Sequence, residues 1–189
     1  MSGIEQGDAR DFLVDLRADL ILTDPPHLDT YGDGDDVDLE HEAFTDSWLP
    51  KAIRAVGSAG TVYLTCGADP RELASYIGCA MPDEIRVWTH PAFKPGKSTR
   101  NVPAHHLHLI YRGHHAPDLL QMGTSVLHAS KPMPLYSWII EQYVPEGALV
   151  VDPFCGRGEI PKAARDMNRQ YLGCEILKES VEACWEQGL

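Results

Sequence analysis

Two short motifs near opposite ends of the chain hold residues able to do chemistry: Asp24-Pro25-Pro26-His27 and Asp152-Pro153-Phe154-Cys155-Gly156-Arg157-Gly158. Each follows an apolar run that reads as a buried strand, residues 18–23 and 147–151. A strand ending in a carboxylate and a tight Pro or Gly turn presents ligand groups at its carboxyl edge, where open α/β sheets bind ligands. Two such edges in one small chain imply two adjacent pockets. In the first, the Asp24 carboxylate and the Pro25 carbonyl are hydrogen-bond acceptors suited to an amino group. Pro25 and Pro26 stiffen the turn and preset both acceptors. The planar His27 ring offers a surface for a flat group to stack on. In the second motif, Gly156 and Gly158 let the backbone approach a ligand closely and turn into a helix. About 20 residues later Glu175 closes another apolar run, a spacing that suits a carboxylate accepting from two ribose hydroxyls. A nicotinamide enzyme would need Gly-x-Gly-x-x-Gly after the strand, and that pattern is absent here.

The elements that must position these residues alternate between apolar runs and helical patterns, which predicts an α/β fold with a largely parallel sheet. Strands are expected at residues 20–23, 61–65, 85–89, 107–111, 149–152 and 171–175. Helices are expected at 11–16, 45–56, 70–77, 134–143, 158–167 and 178–187. Residues 28–42 are acidic and Gly-containing and read as a mobile surface loop, either a lid over the first motif or a plain solvated loop. Residues 91–103 read as a second loop, and residues 116–129 join the last central strand to the segment before the second motif. No repeat or linker divides the chain, so a single domain over residues 1–189 is expected.

Composition narrows the class. The 189 residues are 43% hydrophobic, enough for a packed core and too much for a disordered or fibrous chain. No apolar run approaches the roughly 20 residues of a membrane span, and the first residues lack a basic-then-apolar leader; a cytoplasmic protein is expected. The five cysteines are scattered and odd in number, which favours free thiols in core positions. The net charge of −12 opposes nucleic-acid binding, but its distribution is uneven. Acidic residues crowd into 29–42, whereas 83–118 holds Arg86, Lys94, Lys97, Arg100, Arg112 and six histidines. His105, His106, His108, His114 and His115 lack the paired ligand clusters of a structural zinc site, and no metal is expected. Leu107, Leu109 and Tyr111 alternate with them as in a strand that puts His106 and His108 on one face. The four tryptophans read as packing residues.

The motifs resemble those of the DNA amino-methyltransferases that modify the N6 amine of adenine or the N4 amine of cytosine. In that family Asp-Pro-Pro-aromatic grips the exocyclic amine of a flipped-out base, which implies catalytic roles for Asp24, Pro25, Pro26 and His27. His27 departs from the usual Tyr, Phe or Trp: its face is smaller and an unperturbed imidazole titrates near neutral pH. The second motif resembles the family's S-adenosylmethionine loop, implying cofactor contacts at Asp152, Phe154, Gly156, Gly158 and Glu175. The segment from His128 to Leu135 resembles the part covering the methionine end of the cofactor, through Ser130 or Lys131. Asp8 and Ala9, in Gly7-Asp8-Ala9-Arg10, resemble the contact to the cofactor's adenine; the competing reading makes Asp8 an ordinary helix N-cap. Catalytic motif first and cofactor motif last is the order of the permuted, beta class. The resemblance implies a seven-stranded methyltransferase sheet, Rossmann-like, with one antiparallel strand.

The same resemblance implies DNA as partner, with Lys94, Lys97, Arg100, Asn101, His106 and Arg112 as candidate nucleic-acid contacts. It implies direct transfer of the methyl group with no cysteine nucleophile. Asp before Pro-Pro resembles the adenine enzymes more than the Ser-Pro-Pro form common among cytosine enzymes. No separate target-recognition domain is expected, which leaves specificity minimal or to a second copy or another subunit. A restriction partner, a phage role and housekeeping methylation read alike. Two alternatives stay open: the same fold acting on RNA or a protein glutamine, and a non-catalytic methyltransferase-like subunit.

Overall fold

In the central strands residues of both parities are apolar, so both faces of the sheet must be covered. The computed structural model, which describes residues 2–28, 37–67, 69–90, 104–112 and 133–189, shows how. The elements run β1 (Gly3–Gln6), α1 (Ala9–Phe12), β2 (Leu20–Thr23), α2 (Val37–Val56), β3 (Thr61–Cys66), α3 (Pro70–Cys79) and β4 (Glu84–His90). They continue through β5 (Ala104–Tyr111), α4 (Met133–Tyr143), β6 (Leu149–Asp152), α5 (Glu159–Asp166), β7 (Gln170–Glu175) and α6 (Lys178–Glu186). The strands form a seven-stranded sheet in the order β1-β7-β6-β2-β3-β5-β4. β5 is antiparallel to both its neighbours and every other pairing is parallel, as the sequence led one to expect.

Strand alternation sorts the apolar side chains into two cores. Leu20 and Leu22 of β2, Tyr63 of β3 and Val150 of β6 join Ile139 and Ile140 of α4, Ile160 of α5 and Val181 of α6. Ile21, Val62, Leu64 and Val151 point the other way, onto Trp48, Leu49 and Ala52 of α2 and Tyr76 of α3. Helices therefore cover both faces. The connection through α2 carries the chain from β2 to β3, while that through α5 carries it from β6 to β7 on the other side. The reversal falls between the paired neighbours β6 and β2, the strands that carry the two motifs. A ligand crevice is expected at such a switch point.

The structure departs from the sequence reading in several places. β1 was not anticipated: it is an edge strand in which Ile4 alone is fully buried, so it has no apolar run to announce it. Pairing with β7 and the docked α6 hold it in place; the Trp185 indole donates to the Ile4 carbonyl at 3.1 Å. The first helix spans four residues, shifted toward Asp8. Part of the expected acidic loop, from Val37 on, is the start of α2, where His41 and Thr45 are fully buried. Its acidic residues sit near a helix N-terminus, where the backbone dipole favours negative charge. Arg86 is no part of a basic face: it lies buried along β4 and donates to both Glu84 oxygens, at 2.7 and 3.1 Å. His108 is buried and meets the Tyr63 hydroxyl at 2.6 Å through Nδ1. Trp48 is in one core, Trp88 and Trp138 pack half-buried against the other, and all five cysteines are free. Burial pushes the Cys66 and Cys155 thiols up, which keeps them neutral packing groups.

Ile21 is completely buried in the middle of the sheet. Ile21→Ala should lower stability by about 2–5 kcal/mol, read from urea denaturation. A loss under about 1 kcal/mol would contradict the packing described for β2.

Candidate active site

The ends of β1, β2, β6 and β7 converge on a cavity of about 470 Å³. It is lined by Asp8, Ala9 and Arg10 after β1, Asp24 and Pro26 after β2, Pro153 and Phe154 after β6, and Glu175 to Leu177 after β7, with Phe44 of α2 across from them. The two motifs thus open into one space. Phe154 is fixed by rings on α2, with Trp48 edge-on at 5.0 Å and Phe44 tilted at 5.7 Å.

Each carboxylate has a defined environment. Asp152 is buried and accepts from the Thr23 hydroxyl at 2.7 Å and the Phe154 amide at 3.1 Å. Burial outweighs these two hydrogen bonds and pushes its carboxyl up to about 7. Glu175 accepts from the Gly156 amide at 3.0 Å and the Leu177 amide at 2.8 Å, so it shapes the loop as well as facing the cavity. Asp8 is the N-cap of α1, accepting from the Arg10 amide at 2.8 Å and from its guanidinium, and it also lines the cavity. The competing readings of Asp8 are therefore compatible. The Arg10 side chain holds the Asp8 carboxyl below the usual range.

Gly158 shows why the second motif needs its glycines. Its φ of +84° is left-handed, and a Cβ there would stand 2.4 Å from the Leu189 side chain and 3.0 Å from the Cys184 Sγ. Only a glycine lets α5 start this close to the C-terminal residues.

The first motif has partners that sequence alone did not reveal. Thr65, at the end of β3, donates its hydroxyl to Asp24 Oδ1. His27 Nε2 lies 3.4 Å from the same Asp24 oxygen, and Nδ1 lies 2.9 Å from Oε1 of Glu72 on α3. A carboxylate against each ring nitrogen favours the doubly protonated, imidazolium form of the ring. The Asp24 and Glu72 contacts hold it up at about 10, against a smaller cost of burial. Burial would raise the Glu72 carboxyl, but hydrogen bonds from His27 and the Gly67 and Leu28 amides outweigh it and hold it at about 2. Glu72 has a signal in the sequence that points elsewhere: it sits three residues after the N-cap Asp69, the spacing of a capping box. Its carboxylate instead binds the Gly67 amide at 2.6 Å and the Leu28 amide at 3.1 Å.

One expected nucleic-acid contact is placed away from this edge. Arg112 follows β5, whose C-terminal end lies at the opposite edge of the sheet because that strand runs antiparallel. Its guanidinium donates to the Gly57 carbonyl at 3.1 Å and its amide to Asp83. His106 pairs with Trp88 in the β5–β4 register. Lys94, Lys97, Arg100, Asn101, Ser130 and Lys131 lie outside the described residues.

Comparison with known proteins identifies the family. The DNA methylase family, the N6/N4 type, matches residues 82–186. The type II methyltransferase M.HpaI of Haemophilus parainfluenzae is 26% identical, over 93% of this chain and 69% of its own length. The structure of M1.HpyAVI in complex with S-adenosylmethionine superposes with a TM-score of 0.71 at 18% identity, covering 99% of this chain and 98% of the other. The PvuII cytosine-N4-specific DNA methyltransferase gives 0.74 at 16% identity, covering 100% and 87%. The family match spans more than half of the chain, and the chain belongs to the N6/N4-type DNA methylases.

Between an ordinary carboxyl value of 3.8 and about 7, folded Asp152 keeps a proton that the unfolded chain has released. Its contribution to stability therefore falls as pH rises through that window. Asp152→Asn removes the titration while keeping an oxygen for Thr23 and Phe154. The variant should gain stability relative to the parent as pH rises from about 4 to about 7 and then level off. Urea denaturation across that range checks this; a pH-independent difference would refute it.

Proposed function

We propose that this DNA methylase binds S-adenosylmethionine in the cavity between its motifs and methylates the N6 amine of adenine, with the N4 amine of cytosine as the less favoured target. The observation that carries the reading is that Asp24 and Pro26 line the same cavity as Asp8, Phe154 and Glu175. The donor set fits the cofactor. Asp8, Asp24 and Glu175 line the cavity and Arg10 is its one lining cation among the described residues, held by Asp8. Such a field favours a cationic nucleoside and disfavours the phosphates of a dinucleotide. Phe44, Phe154 and Pro153 supply the apolar surface an adenine ring needs. Asp8 and Ala9 would hold the adenine, Glu175 the ribose, and Ser130 or Lys131 the methionine carboxylate. The cofactor, when bound, supplies an electrophilic methyl group.

The chain's residues do the rest. Asp24 and the Pro25 carbonyl accept hydrogen bonds from the two amine protons. This draws the nitrogen lone pair out of conjugation with the ring and aims it at the cofactor side. Thr65 and His27 orient Asp24. The His27 ring supports the flipped base, now as a cation. Asp before Pro-Pro is the feature that favours adenine.

DNA would be held by Lys94, Lys97, Arg100, Asn101 and His106, with binding that weakens steeply with salt in so acidic a chain. A second copy or a specificity subunit would supply the remaining contacts. Among the described residues no helix is long and apolar enough to cross a membrane.

Nucleoside mass spectrometry on DNA from a methylation-deficient host expressing the chain should find N6-methyladenine that disappears with Asp24→Ala. N4-methylcytosine instead would reverse the base assignment. Neither base, in a chain that binds S-adenosylmethionine, would move the substrate to RNA or protein. Glu175→Ala should weaken S-adenosylmethionine binding by about tenfold or more in calorimetry, the scale of a lost hydrogen bond to a charged group. Unchanged affinity would remove Glu175 from the cofactor site.

A further inference from the structure

We propose that Glu72, which lies outside both motifs, is a positioning residue for methyl transfer: it locks His27 as an imidazolium between two carboxylates and thereby fixes Asp24. The proposal rests on the reading of Asp24 as the group that grips the target amine. Glu72 is 1% exposed, an unusual position for a carboxylate on a helix that faces a sheet end. Its hydrogen bonds go to the three places that define the turn: the Gly67 amide after β3, the Leu28 amide just beyond the motif, and the His27 ring. A side chain at position 67 would put its Cβ 2.7 Å from Glu72 Oε2, so the glycine makes room for the carboxylate.

A ring held at both nitrogens cannot turn about its own axis, so Glu72 sets the orientation of the flat face and of Nε2 together. Nε2 then meets the same Asp24 oxygen that takes the Thr65 hydroxyl, and the carboxylate is gripped from β3 and from its own loop. A phenylalanine at position 27 would stack a base but has no donor for Asp24. Here one side chain serves as base platform and as link to the catalytic carboxylate, and the buried anion supplies the charge balance that makes it a cation. Neither Glu72 nor His27 lines the proposed cofactor cavity, which separates this device from cofactor binding.

The test uses the full chain, ¹⁵N-labelled on its histidines, with S-adenosylmethionine and unmethylated DNA. His27→Gln identifies the His27 ring signals. In the parent protein both His27 ring nitrogens should remain protonated at about pH 8, well above the ordinary histidine range. In Glu72→Gln one of them should lose its proton near neutral pH. Alongside this, kcat should fall about tenfold to a hundredfold, the scale set by small misplacements of reacting groups, with the Kd for S-adenosylmethionine unchanged. His27→Gln approaches the pair from the other side, with Glu72 still held by its two backbone donors. The double variant should be no slower than the slower single, because both break one link. Glu72→Gln with unchanged His27 signals and unchanged kcat would overturn the proposal, as would losses that simply multiply. So would a fall in kcat matched by an equal loss of cofactor affinity, which marks general damage. A parent protein inactive on DNA whose His27 protonation still depends on Glu72 would sink the substrate reading and leave the clamp supported.

Discussion

The buried hydrogen bond from Thr23 to Asp152 joins the two strands on which everything else is built. β2 and β6 are neighbours at the point where the connections reverse direction, and each ends in one motif. A carboxylate in this position is costly to bury, and the Thr23 hydroxyl and Phe154 amide compensate only partly. The bond fixes the relative height of the two strand ends, and so the distance between the Asp24 turn and the glycine loop. With those ends in register, the loops after β1 and β7 complete one cavity. Had the motif strands been separated in the sheet, the same residues would have made two unrelated turns.

Electrostatics in the site follow a division of labour. The cavity side, with Asp8, Asp24 and Glu175, carries an excess of negative charge suited to a cationic ligand. On the other side of Asp24, His27 and Glu72 form an alternating row of charges, carboxylate, imidazolium, carboxylate. The row places the cation between the two anions and leaves one net negative charge. It also gives a reason for histidine at a position where the family uses a larger ring: only a residue with a donor on each side can bridge two anions. The orientations of the His27 ring and of the Asp24 carboxylate are then tied together by a helix far along the chain.

The parts legible in the sequence were those with a strong local signature. Six strands announced themselves as apolar runs, and both motifs stood out because strand, acid and turn follow one another without interruption. β1 was hidden because an edge strand covered on few sides needs few apolar residues; it is recognisable only once β7 and α6 are present to pair with it. The first turns of α2 were hidden because acidic residues that favour a helix N-terminus also resemble a solvated loop. Arg86 read as basic surface, yet a glutamate two residues away on the same strand face absorbs it.

By itself the sequence determined the chemistry on offer: a carboxylate and a carbonyl preset by two prolines, a glycine loop, and a carboxylate at ribose-binding distance along the chain. It also determined the alternation that buries both faces of a parallel sheet. Local order suffices for these, because each depends on residues within one strand and its turn. What only the tertiary structure decided is which side chains complete the site. Thr23 meets Asp152 across 129 residues of chain, and Glu72 meets His27 across 45. No local pattern encodes such pairs, since a glutamate three residues after an N-cap looks like a cap until the fold places another partner within its reach.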